Sequence, residues 1–182
     1  MTTTALLVID VQDSFTQRDY WSASDFQPYA DKQTRLITHA RNNDWQVVYV
    51  LHNESEGPFS PESGFVRLMS FLDPQANEPT FNKHVHNALL ESGLHEWLQT
   101  QGISKLVISG IRTEQCCETT ARVASDIGYE VEYVLDATHS FPMKHPLTGD
   151  MVDLETIKSH TALVLAERFA TIKMVGDYDQ AS

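Results

Sequence analysis

Three residues far apart in the chain carry the chemistry its types allow: Asp10, Lys83 and Cys116. Asp10 closes the apolar run ALLVID, with Gln12 and Phe15 following at short offsets. An Asp there serves equally as a catalytic acid or as a cap on the next turn. Cys116 stands where the segment ISGIRTEQCC leaves a strand and enters a helix. The positive end of a helix dipole favours thiolate there, and its free N–H groups suit a developing oxyanion. The plainer reading of such a cysteine is a small buried hydrophobe. Lys83, in FNKHVHNALL, is by itself an ordinary surface lysine; placed between a carboxylate and a thiol, it would hold the thiolate and ready the carboxylate for proton transfer. An acid, a base and a thiol are what attack on a carbonyl carbon requires. Cys117, about 100° further round a helix, reads as packing.

Elements able to position these residues alternate along the chain. Strand-length runs occupy Ala5–Val11, Gln46–His52, Lys105–Gly110, Glu130–Leu135 and Ala170–Val175. Helical spacing marks Tyr29–Asn43, Asn87–Gln101, Cys116–Ile127 and Leu154–Arg168. Strands apolar on both faces need helices on both sides. The expectation is therefore one α/β domain over residues 1–182, a Rossmann-like three-layer sandwich with a mainly parallel sheet. The irregular, proline-bearing stretch Asn53–Asn82 is long enough to serve as a lid or a subunit contact.

The formal net charge of −12 over 182 residues disfavours nucleic acid and anionic membrane surfaces as partners. No stretch reaches the roughly 18–20 apolar residues of a bilayer span, and the opening MTTTALLVID reads as a strand rather than a signal peptide. Two adjacent cysteines cannot staple a fold, which points to a reducing cytoplasm.

Taken together, the segments resemble the isochorismatase-like cysteine hydrolases, the superfamily of nicotinamidases and N-carbamoylsarcosine amidohydrolases. The apolar strand followed by D-x-Q-x-x-F is matched by Asp10, Gln12 and Phe15. The lysine segment is matched around Lys83, and G-x-x-T-x-x-C by Gly110, Thr113 and Cys116, with Thr120, Ala121 and Gly128 following. Asp136-Ala137-Thr138 closes the next strand in the family's manner. The resemblance runs from residue 5 to about 175. It implies a sheet of about six strands and a triad with Cys116 as nucleophile, Asp10 as general base and acid, and Lys83 as electrostatic partner. It further implies a cis peptide at Ile111–Arg112 and an oxyanion hole from the N–H groups of Arg112 and Cys116.

One departure concerns metal. The region VLHNESEG (50–57) lacks the Asp-x-His motif of nicotinamidases, so no metal and no cofactor is expected. His84 and His86 diverge from a common site, and His139 and His145 are placed on the surface or at the crevice rim. Substrate contacts are expected from Phe15, Trp21, His52 and Arg112, with Tyr20, Asn53 and Phe59 at the rim.

The resulting expectation is hydrolysis of a C–N bond in a small amide, ureide or carbamoyl compound through a Cys116 thioester, by a homo-oligomer (dimer or tetramer). The alternatives are a catalytically silent small-molecule-binding domain and a thiol redox sensor using Cys116 and Cys117. A dinucleotide oxidoreductase is weak, because Asp10-Val11-Gln12 stands where G-x-G-x-x-G would follow the first strand.

Overall fold

A computed structural model describes residues 3–179; the outermost residues of the expected 1–182 domain lie outside that range. Strands β1 (Thr3–Ile9), β2 (Gln46–His52), β3 (Thr80–Lys83), β4 (Ile103–Ile111), β5 (Glu130–His139) and β8 (Thr171–Lys173) form one sheet in the order β3-β2-β1-β4-β5-β8. Every pairing in it is parallel. A short hairpin of β6 (Met143–Lys144) and β7 (Met151–Val152) stands apart. The helices are α1 (Ala23–Asn42), α2 (Leu94–Thr100), α3 (Glu118–Asp126) and α4 (Leu154–Leu165). Among the described residues no helix is long and apolar enough to cross a membrane.

The run ALLVI is buried throughout because β1 lies at the centre of a covered sheet. Side chains alternate along it. Leu6 and Val8 join Leu36, Ile37 and Ala40 of α1 on one face, while Leu7 and Ile9 join Leu94, Leu98 and Ala121 on the other. Strand order reverses between β1 and β4. In such sheets the crevice at the carboxyl ends of the strands flanking that switch is where ligands bind.

Two elements differ from the sequence reading. Helix α1 begins at Ala23 rather than Tyr29, because Ser22 caps it by accepting from Asp25 N–H and the chain carries Pro28 inside the helix. The span expected to be one helix from Asn87 is irregular until Gly93, whose φ of 77° precedes the short α2. The segment 53–82 packs on the domain. It is stitched down by Asp13 N–H to Arg67 O (3.0 Å) and Met69 N–H to Val11 O (3.1 Å), with Leu72 in the core.

One glycine is dictated by the switch point. Gly110 has φ 126°, and a Cβ there would stand 2.0 Å from the Ile9 carbonyl oxygen. Only glycine lets β4 pass so close to the end of β1.

Candidate active site

Asp10 follows directly on β1, with φ 54°. This left-handed backbone, which Asp tolerates better than most residues, is fixed by Asp10 N–H donating to Val50 O (2.9 Å) and Gln12 N–H donating to Asp10 O (2.9 Å). Gln12 itself does not face the crevice. Its amide splints β1 to β2, accepting from His52 N–H (2.7 Å) and donating to His52 O (3.0 Å).

Lys83 ends β3, paired with His52 of β2 in register. From there Asp10 lies two strand spacings away, about 10 Å, a gap that calls for a long side chain. Cys116 sits in a π-helical turn, Thr113–Cys117, leading into α3. The Arg112 carbonyl accepts from both Gln115 and Cys117 N–H, and Tyr133 OH donates to Thr113 O (2.7 Å). Thr120 links the Lys and Cys segments: its hydroxyl donates to Cys116 O (2.7 Å) and accepts from Ala88 N–H (3.0 Å). The Ile111–Arg112 peptide is cis, and the Arg112 N–H has no hydrogen-bond partner among the described residues.

These elements bring Asp10, Lys83 and Cys116 together. Lys83 Nζ donates to Asp10 Oδ2 at 2.7 Å, to Cys116 Sγ at 3.4 Å, and to His52 Nδ1 at 3.1 Å. An ammonium has three protons and no lone pair, so all three are used and His52 Nδ1 must be the acceptor. The His52 proton therefore sits on Nε2, which lies 3.7 Å from Glu54 Oε1. The Lys83 and Asp10 side chains are 0% and 1% exposed.

Burial opposes the Lys83 charge, yet Asp10 and then Cys116 outweigh it and raise the ammonium above its ordinary range. Burial raises Asp10, with Lys83 pulling it back only in part. Its Oδ1 is buried without a hydrogen-bond partner among the described residues. Burial and then the Asp10 carboxylate push the Cys116 thiol up, and Lys83 offsets this only partly. The sequence reading of a thiol lowered by its helix terminus is thereby corrected: the resting group is a protonated thiol. His52 is held neutral, its pKa lowered to about 4 by burial first and Lys83 second.

Asp10 and Cys116 open onto a cleft of about 110 Å³. Of the expected substrate contacts, Phe15, His52 and Arg112 line it; Trp21 does not. The Trp21 ring turns inward against Phe26, at 4.5 Å between centroids, and joins the core behind α1. Tyr20 and Phe59 line the cleft, whereas Asn53 is spent on Asn82 (3.0 Å). The sequence reading missed Arg18, Glu54, His86 and Gln115 as wall residues. His86 arrives there because its segment is irregular rather than helical. His139 is not on the surface. It is 3% exposed, packed against Phe26, Tyr29 and Phe141, and lowered to about 4 by burial and then Lys158. Cys117 is fully buried, and burial raises its thiol well above the ordinary range. His52 and His86 face each other at 6.1 Å, but among the described residues no three His, Cys, Asp or Glu side chains converge as a metal site.

Comparison with known proteins gives a consistent result. The Isochorismatase domain family matches residues 4–165. The chain is 27% identical over 171 residues to an uncharacterised isochorismatase family protein of Bacillus subtilis, covering 92% of this chain and 90% of that one. It is 37% identical over 156 residues to nicotinamidase 3 of Arabidopsis thaliana, covering 75% and 73%. The crystal structure of an isochorismatase from Pseudomonas putida superposes with a TM-score of 0.86 at 24% identity, covering 96% and 89%, a likeness of fold.

Proposed function

This chain belongs to the isochorismatase family of hydrolases, and from that premise we propose that it cleaves a C–N bond of a small amide, ureide or carbamoyl compound through a thioester on Cys116. The observation that carries the reading is the single Lys83 ammonium, hydrogen-bonded to both Asp10 (2.7 Å) and Cys116 (3.4 Å) inside a buried cleft. A cleft of about 110 Å³ suits a small reacting group, being well below the roughly 300–1,000 Å³ of sites for drug-sized ligands.

In the proposed reaction Sγ of Cys116 bonds to the carbonyl carbon while its proton passes to Asp10. Oδ1, free of other hydrogen-bond partners among the described residues, is the Asp10 oxygen left to take it. The carbonyl electrons move onto oxygen, and the N–H groups of Arg112 and Cys116 hold that oxyanion. As the tetrahedral adduct collapses, the C–N bond breaks and Asp10 returns the proton to the departing ammonia or amine. Water then attacks the thioester, giving a proton to Asp10 and hydroxyl to the carbon. The C–S bond breaks and the thiol is restored. Lys83 keeps its proton throughout and steadies whichever of Asp10 and Cys116 carries the negative charge.

The test is ammonia release across a panel of small amides and ureides, with intact-mass analysis of acid-quenched enzyme. The expected result is turnover of at least one compound and an acyl adduct on the peptide holding Cys116. Turnover that persists in Cys116→Ala would overturn the mechanism.

A further inference from the structure

The proposed reaction uses the backbone N–H of Arg112 and leaves its side chain without a task. Arg112 lines the catalytic cleft together with Asp10, Gln115 and Cys116, and its side chain is only 15% exposed. Two aromatic rings hold the guanidinium: its central carbon lies 5.4 Å from the Tyr20 centroid and 5.3 Å from that of Phe141. Stacking of this kind fixes a guanidinium while leaving the N–H groups in its plane able to donate.

Those N–H groups are barely used. Nη2 donates to Phe141 O at 3.4 Å, beyond the usual range for such a bond. Nε stands 3.4 Å from Glu114 Oε1, yet neither atom makes a hydrogen bond among the described residues. Glu114 thus balances the charge of the arginine at its Nε edge, and it is not part of the cleft wall. The acids of the wall are engaged elsewhere: Asp10 pairs with Lys83 at 2.7 Å, and the half-exposed Glu54 stands 3.9 Å from Arg18. Arg18 is a second guanidinium of the same wall, lying over Phe59 at 5.1 Å. The scissile carbonyl does not call on these side chains, because in the proposed reaction backbone N–H groups hold its oxyanion. What the cleft offers beyond the reacting bond is a fixed, largely buried donor fork, and that shape matches the two oxygens of a carboxylate. The same fork repels an ammonium group.

Resting on the hydrolase reading above, we propose that the Arg112 side chain determines specificity by binding a carboxylate that the substrate carries besides its scissile amide. The cleft measures about 110 Å³, so a short chain joins the two groups, as in a small amido acid or ureido acid. The scissile carbonyl lies at Cys116, and the carboxylate lies against the terminal nitrogens of Arg112.

Binding is tested apart from turnover. Sodium succinamate and succinamide, alike in size and different in charge, are titrated into Cys116→Ala protein and followed by amide NMR shifts. The acid is expected to bind about tenfold tighter or better, with shifts centred on Gln115 and Phe141. Equal affinity, or shifts centred elsewhere, overturns the carboxylate contact whether or not amides are cleaved. Ammonia release by wild type is then compared for succinamate, succinamide and γ-aminobutanamide. Expected is an acid-to-diamide ratio of kcat/KM of about ten per amide group, with the ammonium compound slowest. That ratio should fall towards one in Arg112→Met, and by less in Arg18→Met, which removes the same charge from the same wall. Being a ratio within one protein, it is not moved by a general loss of rate. A wild-type ratio near one, an unchanged ratio in Arg112→Met, or an equal fall in Arg18→Met overturns the assignment. Should Arg112→Met fail to fold, the wild-type ratio, the NMR shifts and Arg18→Met still decide it. Preferential binding of succinamate with no ammonia from any amide overturns the hydrolase reading instead, and with it the arginine's part in substrate choice.

Discussion

Replacing Lys83 by methionine keeps most of the side-chain volume and removes the one charge that holds the site together. Lys83 and Asp10 are 0% and 1% exposed and 2.7 Å apart, so the variant leaves a carboxylate buried without a counter-ion. Breaking a buried pair in this way costs about 3–5 kcal/mol. At roughly 2–4 °C per kcal/mol for a chain of this size, the melting temperature should fall by about 6–20 °C. Part of the loss is relieved by protonating Asp10, whose pKa burial already raises and Lys83 chiefly holds down. A carboxyl with a folded pKa above its unfolded value stabilises fully below the unfolded pKa, and that stability is lost as pH rises through the folded one. The gap between variant and wild type should therefore narrow towards pH 4 and widen towards pH 8. Lys83→Met/Asp10→Asn, with no buried charge, should regain most of the melting temperature while remaining without turnover. Thermal melts by circular dichroism across pH, paired with ammonia release, separate the two effects. A Lys83→Met protein that melts within about 2 °C of wild type, with turnover intact, would refute both the energetics and the role assigned to the lysine.

Three further outcomes are expected. Iodoacetamide should alkylate Cys116 before Cys117, and because burial and Asp10 keep the Cys116 thiol protonated, its rate should still be rising at pH 9; a plateau by pH 8 would contradict that resting state. Acid should unfold the protein early: His52 and His139 are each displaced from 6.5 to about 4, worth up to about 3 kcal/mol apiece at 1.36 kcal/mol per pH unit, so this stability is present above pH 6.5 and lost as pH falls through 4, and His139→Leu should flatten that limb of a denaturant-midpoint profile. Gly110→Ala should cost more than about 4 kcal/mol, since its Cβ would meet Ile9 O at 2.0 Å, and a melting temperature within a few degrees of wild type would show that β1 and β4 can separate.

Five of the six sheet strands and the places of Asp10 and Cys116 were readable because they rest on local signals: an apolar run ended by an acid, and a glycine-led entry into a helix. The strand that delivers Lys83 was not. It is four residues, Thr80–Lys83, at the sheet edge and only partly buried until the lysine itself, so no period-two pattern marks it. Its role was legible only through family resemblance. Trp21 was misplaced because sequence proximity to Phe15 says nothing about which way a turn faces; here the chain turns its ring onto Phe26. His86 was missed since 84–93 imitates the start of a helix and is instead irregular. The thiol's protonation was misjudged for a different reason. Helix position is visible in sequence, whereas burial and the nearness of Asp10 are tertiary facts, and here they win.

That correction changes how the nucleophile is prepared, not whether it can be. The buried cluster holds one cation, Lys83, and two acids, and its surroundings support a single negative charge. With the charge on Asp10, the thiol is neutral; with the charge on sulfur, Asp10 must carry the proton. The two states have the same net charge and share the same ammonium, so passing between them moves a proton a short way without bringing a new charge out of water. A standing thiolate would need Asp10 to be neutral at rest, and Lys83, donating at 2.7 Å to the carboxylate and at 3.4 Å to the sulfur, favours the opposite. In the proposed reaction the proton therefore leaves sulfur as the C–S bond forms, and the same carboxyl then holds it ready for the departing nitrogen. In that proposal a lysine in contact with both acids lets Asp10 serve as base and acid in turn, so the lysine's arrival on an edge strand would matter more to the chemistry than the helix terminus under the cysteine.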